Sequence, residues 1–182
     1  MAVLKKGDRM PDFKVSTATK EDTTLKELCA GKPTFLAVLR YIGCTVCRYD
    51  VHVMEERYDE FVKKGAQVLF VMQSTPEMVK KDLKEHALPF EIICDPNYEI
   101  YNALEIAAAK SMAELAPPEV MEALMAKGKA AGEAGFAHGE YEGIEEQLPA
   151  TFLIGADGVV KYAHYGKNIM DKPDVDEMLA MV

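Results

Sequence analysis

Arg40-Tyr41-Ile42-Gly43-Cys44-Thr45-Val46-Cys47-Arg48-Tyr49-Asp50 places a Cys-x-x-Cys pair at the junction of an apolar run and an amphipathic segment. Upstream, Thr34-Phe35-Leu36-Ala37-Val38-Leu39 is short, apolar and rich in β-formers, with Gly31-Lys32-Pro33 as a breaker before it, and reads as a buried strand. Downstream, Val51, Met54, Tyr58, Phe61 and Val62 recur at helical spacing and Gly65 supplies a stop. The cysteines are therefore expected where a strand hands over to a helix N-terminus. Free backbone N–H groups and the helix dipole favour an anion there, which lowers a thiol's pKa and raises the fraction of reactive thiolate. Arg40 and Arg48 flank the pair and can add positive charge. Two intervening residues allow the sulfurs to approach closely enough to form and break a disulfide.

The chain has 182 residues, 49% of them apolar, and a formal net charge of −9, which suits one domain with a sizeable core. An acidic balance without a basic block argues against nucleic acid as a partner. No apolar run approaches the roughly 20 residues that span a bilayer, so no membrane association is expected. The start Met1-Ala2-Val3-Leu4-Lys5-Lys6 lacks a secretory hydrophobic core, and a cytoplasmic location is the expectation. Of the four cysteines only Cys44 and Cys47 are closely spaced, which in a reducing compartment favours a redox pair over a disulfide framework.

Along the rest of the chain, residues 7–33 read as a short strand, a polar turn near Thr19 to Thr23 and a brief helix holding Leu25 and Leu28. Val68-Leu69-Phe70-Val71-Met72 is a second buried strand. Ser74-Thr75-Pro76-Glu77 caps a helix running to about His86, and Phe90-Glu91-Ile92-Ile93-Cys94 is a third strand. Tyr98 to Leu104 reads as helical. Thr151 to His164, with Asp157-Gly158 in the turn, is a hairpin, and a last helix begins near Pro173. This order predicts an α/β, thioredoxin-like fold: a mixed central sheet flanked by helices, with a helical insertion at about 105–146 before the C-terminal hairpin, all within one domain over 1–182. Met112, Met121 and Met125 of the insertion are read first as core filling, with an adaptable apolar surface near the cysteines as the alternative.

Gly7-Asp8 with Pro11-Asp12-Phe13, the strand leading to Gly43-Cys44-Thr45-Val46-Cys47-Arg48, and Thr151-Phe152-Leu153-Ile154 with Asp157-Gly158 together resemble the peroxiredoxin-like branch of the AhpC/TSA family. Selenoprotein U relatives share the Gly-Cys-x-x-Cys-Arg pattern. The resemblance implies a thioredoxin fold, redox-active Cys44 and Cys47, reduction of peroxides or protein disulfides, re-reduction by a dithiol such as a thioredoxin-type protein, and no bound metal or organic cofactor. Arg40, Thr45, Arg48 and Pro149 are the expected supporting residues. Peroxiredoxins carry Pro-x-x-x-Thr-x-x-Cys. Laid on this sequence, the peroxide-attacking cysteine falls on Cys47, the threonine on Cys44, the proline on Arg40, and the family's distant arginine on Pro149. Thioredoxins instead place a cis-proline opposite a Cys-x-x-Cys, so Pro149 is expected in a cis peptide beside Cys44.

Two mechanisms remain open at this level. In one, Cys47 attacks a peroxide and Cys44 condenses with the sulfenic acid. In the other, Cys44, as the more exposed first cysteine, attacks a disulfide and Cys47 resolves it. A redox-silent scaffold that binds a partner through the insertion is a third reading. Zinc would require His52 and Cys94 as further ligands. His52, five residues beyond Cys47, is expected to point away from it as a partly exposed helix histidine. His86, His138 and His164 form no recognisable hydrolase set. Cys29 and Cys94 read as inert core thiols, Cys94 alternatively as a remote resolving cysteine, and Tyr41 as a packing residue. A sheet edge or the insertion could form a homodimer interface.

Overall fold

The computed structural model describes residues 3–182. In chain order the elements are β1 (Lys14–Thr17), β2 (Thr23–Thr24), α1 (Leu25–Cys29), β3 (Thr34–Val38), α2 (Thr45–Lys63), β4 (Gln67–Met72), α3 (Pro76–Leu83), β5 (Ile92–Cys94), α4 (Glu99–Ala103), α5 (Met112–Leu115), α6 (Pro118–Glu133), β6 (Ala150–Ile154), β7 (Val160–Tyr165) and α7 (Val175–Ala180). The seven strands form one sheet in the order β2-β1-β5-β4-β3-β6-β7. β3, β4 and β5 run parallel, while β1, β6 and β7 are antiparallel to their neighbours. The expected mixed sheet with flanking helices is what forms.

The central strands bury both faces, as a parallel sheet covered by helices must. Phe35, Ala37 and Leu39 of β3 and its exit join Phe70, Met72 and Ile92 on one face, beneath Val51, Met54 and Phe61 of α2 and Met178 of α7. Leu36 and Val38 point the other way, to Leu69, Val71 and Phe152, under Leu25 and Leu28 of α1 and Ile100 and Tyr101 of α4. Period-two alternation thus splits one apolar run between two cores.

The helix limits follow their caps. Thr24 closes a capping box with Glu27 at α1, Thr75 caps α3 ahead of Pro76, and Asp174 closes a second box with Glu177 at α7. After α2, Gly65 at φ 71° provides the left-handed residue that turns the chain back into β4.

The insertion contains α5 and α6, with α6 packed on α2. Ala131 is the buried residue of α6, a small side chain that lets the helices approach. Met112, Met121 and Met125 are 49, 39 and 68% exposed, contrary to the core-filling expectation. The physical reason in α6 is that the face turned inward carries Val120, Leu124, Lys127 and Ala131, with Lys127 reaching Asp50 of α2, which leaves Met121 and Met125 outward; Met112 starts the short α5, whose buried residue is Leu115.

Phe152, wholly buried between β3 and β7, should be among the costliest truncations. Phe152→Ala is expected to lower the unfolding free energy by about 3–5 kcal/mol in urea titrations. Met125→Ala, on the exposed side of the insertion, should change it by no more than ~0.5 kcal/mol.

Candidate active site

Strand β3 delivers its exit to the parallel neighbour: Leu39 N–H donates to Val71 O at 3.0 Å, and Arg40 O accepts from Gln73 N–H at 2.7 Å. These bonds fix the direction in which the Arg40 to Cys44 loop leaves the sheet. Cys44 is the N-cap of α2, its sulfur 3.3 Å from the backbone N of Cys47. Both cysteines are buried, at 0 and 4% exposure, and their sulfurs lie 2.6 Å apart. Cys44 is therefore not the more exposed cysteine that the disulfide-exchange expectation required. The Arg40 side chain, from the loop preceding it, reaches its sulfur.

Arg40 Nη2 reaches Cys44 Sγ at 2.9 Å, while Nη1 donates to Glu145 O at 2.7 Å and lies 3.7 Å from the Glu145 carboxylate. Burial opposes the guanidinium's charge, but the Cys44 and Cys47 sulfurs more than offset this and hold it protonated. The same contacts divide the thiols. Burial alone would push Cys47 up. The Cys44 thiol donating to its sulfur and the nearby Arg40 charge outweigh that, bringing Cys47 down to about 6. Cys44 moves upward because its proton is held in the bond to Cys47 and because it is buried. The arrangement is one thiolate supported by one thiol.

Arg48 does not contribute to this charge. One residue beyond Cys47 it lies about 100° further round the helix, where Nε donates to Asp82 at 2.7 Å and the guanidinium sits 4.6 Å from the Phe136 ring centroid. Thr45 is the first residue of α2 and half-buried. Pro149 lies beside Cys47, lining with it a small cavity also bounded by Leu39, Arg40, Asp50, Gln147 and Lys172. No peptide among the described residues is cis, so the bond before Pro149 is trans and the cis expectation is wrong. Leu148 N–H donates to Ala107 O and Pro149 O accepts from Gly166 N–H. These two bonds tie the segment to the insertion on one side and to the exit of β7 on the other.

Several neighbours were not foreseen. Asp50, one turn beyond Cys47, accepts from Lys127 Nζ of α6 at 2.5 Å and from Lys172 Nζ before α7 at 3.0 Å. A polar residue on the buried stripe of α2 was the available sequence signal. The strap of residues 134–146, returning from α6, covers the other side. Gly139 N–H donates to Gly43 O at 2.8 Å, and a Cβ on Gly43 would collide with the Glu140 carbonyl. Ile144 N–H donates to Gln73 Oε1, Ser74 Oγ donates to Glu142 Oε2, and Lys81 pairs with Glu140. Tyr41, fully buried, lies with its hydroxyl 3.2 Å from His138 Nε2, while His138 Nδ1 lies 2.8 Å from Gly139 O. The carbonyl can only accept, so Nδ1 carries the proton and Tyr41 donates to Nε2.

The remaining candidates lie elsewhere. His52 pairs with Glu56 and packs on Phe136, and Cys94 sits on β5 with its thiol pushed up to about 12 by burial, so they do not assemble a zinc site with the cysteine pair. Burial also raises Cys29. His86 meets Glu55, and His164 meets Asp171 at 2.8 Å, a pairing that the sequence reading did not anticipate.

The sequence pattern of the AhpC/TSA family matches residues 6–163. The chain belongs to the AhpC/TSA family. It is thereby placed among peroxiredoxin- and thioredoxin-like thiol oxidoreductases, although the match does not single out the selenoprotein U-like branch. A thioredoxin-like protein AAED1, chloroplastic, of Arabidopsis thaliana is 21% identical over 175 residues, covering 94% of this chain and 71% of the relative. Among solved structures, peroxidoxin BcpB from Mycobacterium tuberculosis superposes with a TM-score of 0.69 at 15% identity, covering 98% of this chain and 96% of that one. Reduced 2-Cys peroxiredoxin from Plasmodium vivax gives 0.66 at 14%, covering 97 and 79%. A putative thiol:disulfide interchange protein DsbE from Chlorobium tepidum gives 0.62 at 20%, covering 98% of each chain. These likenesses establish the thioredoxin-like fold.

In the reduced protein one thiolate should appear in the ultraviolet with a midpoint of about 6. Arg40→Gln should move that midpoint upward by roughly one unit or more, since a near opposite charge typically shifts a pKa by about 1–3 units. A thiol whose folded pKa lies below its unfolded one contributes stability at higher pH and loses it as pH falls through the folded value. Cys47 should therefore make the reduced protein more stable as pH rises from about 6 toward the free-thiol value of about 8.5. Urea midpoints across that range, compared with those of Cys47→Ser, check the sign.

Proposed function

We propose that this protein reduces small peroxides, with Cys47 as the attacking thiolate and Cys44 as the resolving thiol. The observation that carries the reading is that Cys47 lines the small cavity that Arg40 and Pro149 also bound, with the Cys44 sulfur in contact with it 2.6 Å away. The attacking sulfur is the one with the lowered pKa. The Cys47 thiolate displaces on the O–O bond, forming S–O as the peroxide is reduced and its second oxygen leaves. The Cys47 sulfenic acid then takes up the Cys44 thiol, releasing water and closing a Cys44–Cys47 disulfide. A dithiol reductant of the thioredoxin type returns both to thiols by exchange through a mixed disulfide. Such a donor fits a reducing compartment such as the cytoplasm.

Two features weigh against protein disulfides as the oxidising substrate. Exchange requires an entering sulfur to line up with the attacked bond, and here both thiols are buried. The cavity beside Cys47 is about 10 Å³, room for a water-sized group and not for a peptide. Arg40 also bounds this cavity, and its Nε is buried without a hydrogen-bond partner, a spare donor for a peroxide oxygen.

Reduced protein mixed with substoichiometric hydrogen peroxide should oxidise much faster than a free thiol and yield a Cys44–Cys47 disulfide by mass. Cys44→Ser should stop at the sulfenic acid, and Cys47→Ser should remove the fast phase. Oxidation of the wild type at the rate of a free thiol, alongside efficient reduction of a disulfide substrate, would instead support disulfide exchange.

A further inference from the structure

We propose that Lys172 is the proton donor to the leaving oxygen in this reaction, a role that rests on the peroxide reading above. Its ammonium lies 3.0 Å from Asp50 and its side chain bounds the small cavity that Cys47, Arg40 and Pro149 also line. Lys127 reaches the same carboxylate oxygen from α6 but does not line the cavity. Lys172 is thus the ammonium-bearing side chain on the wall where a peroxide would meet the thiolate.

Charge balance supports the assignment. Two ammonium groups, with side chains 13 and 17% exposed, face the single carboxylate of Asp50, itself 18% exposed. Burying two cations against one anion is unfavourable unless a second anion is near. The Cys47 thiolate, one helical turn before Asp50, is that anion. Arg40 also faces the sulfurs and is answered in addition by Glu145 at 3.7 Å, so three cations (Arg40, Lys127, Lys172) meet three anions (Asp50, Glu145 and the thiolate). The groups facing Lys172 are therefore Asp50 and Cys47 from α2, Lys127 from α6 and Arg40 beyond β3, with Asp171 and His164 paired next to it in sequence and on β7. Burial works against the Lys172 charge, but Asp50 more than restores it, so the amine carries its proton at neutral pH.

The step balances as follows. The Cys47 thiolate forms a bond to one peroxide oxygen and the O–O bond breaks, oxidising sulfur by two electrons and reducing the peroxide. The departing oxygen takes a proton from the Lys172 ammonium and leaves as water. The neutral amine regains its proton from solvent through its exposed edge. Attack at sulfur and protonation of the leaving group then act on opposite ends of the same bond.

The test compares oxidants that differ in their need for that proton. Hydrogen peroxide expels hydroxide, a poor leaving group, whereas peroxynitrous acid expels nitrite, which needs none. Oxidation of reduced wild type and Lys172→Met is followed by stopped flow, above the Cys47 titration midpoint measured for each protein. Lys172→Met should lose roughly 10²-fold with hydrogen peroxide and less than about 3-fold with peroxynitrous acid, as general-acid catalysis predicts. Lys172→Arg keeps the charge against Asp50 but holds its proton more firmly, so it should fold and retain the same selective loss. Equal losses with both oxidants, or no loss, would overturn the proposal. Wild-type oxidation no faster than a free thiol would overturn the peroxide reading itself, a result distinguishable from either.

Discussion

A guanidinium taken out of water must be answered by acceptors, and the answer given to Arg40 organises this molecule. Its two terminal nitrogens reach Cys44 at the head of α2 and the Glu145 carbonyl of the strap. The residue itself leaves β3 hydrogen-bonded to the start of the β4 exit. One buried cation therefore joins the central strand, the helix that carries both thiols and the inserted segment. Without the strap's carbonyl, Arg40 would lack an acceptor. Without the Cys44 sulfur, it would be turned away from the thiol pair. The insertion is in this sense part of the site, although its helices lie beside the core.

Proximity alone does not divide the labour between the thiols. Two equivalent buried thiols would both resist ionisation, because burial disfavours the charged form. The asymmetry arises from position on one helical turn. Cys44 is the cap, with its sulfur facing Arg40 and the Cys47 backbone N. Cys47 faces the Asp50, Lys127 and Lys172 cluster across a small cavity. The helix supplies the spacing, and two distant segments supply the charge that makes the sulfurs unequal.

The sequence disclosed whatever local periodicity and punctuation encode. The strand into Cys44, the stripe of α2, the Thr75-Pro76 start and the Asp157-Gly158 hairpin were legible because each is decided within a few residues. Contacts that close over long separations were not. Asp50 meets Lys127 and Lys172 across 77 and 122 residues, and no local pattern announces such a meeting. The directions of Arg40 and Arg48 were open for the same reason: adjacent helix positions diverge by about 100°, so flanking the motif does not mean facing it. The isomer at Pro149 was misread because a proline before a strand is compatible with either form. The insertion's methionines were misread because apolar residues on a helix do not reveal that the face held by Lys127 against Asp50 will be the one turned inward.

The single-turn spacing of the two sulfurs also bears on how the protein would withstand excess oxidant. A sulfenic acid that must wait for a distant partner segment to unfold is exposed to a second peroxide and can pass irreversibly to the sulfinic state. Here the partner thiol is already in contact, 2.6 Å away on the preceding turn, and needs no rearrangement of the fold to condense. Overoxidation would have to outrun a reaction between neighbours in a closed pocket. The geometry thus favours a catalyst that remains recoverable under heavy oxidant load over one that is switched off by it.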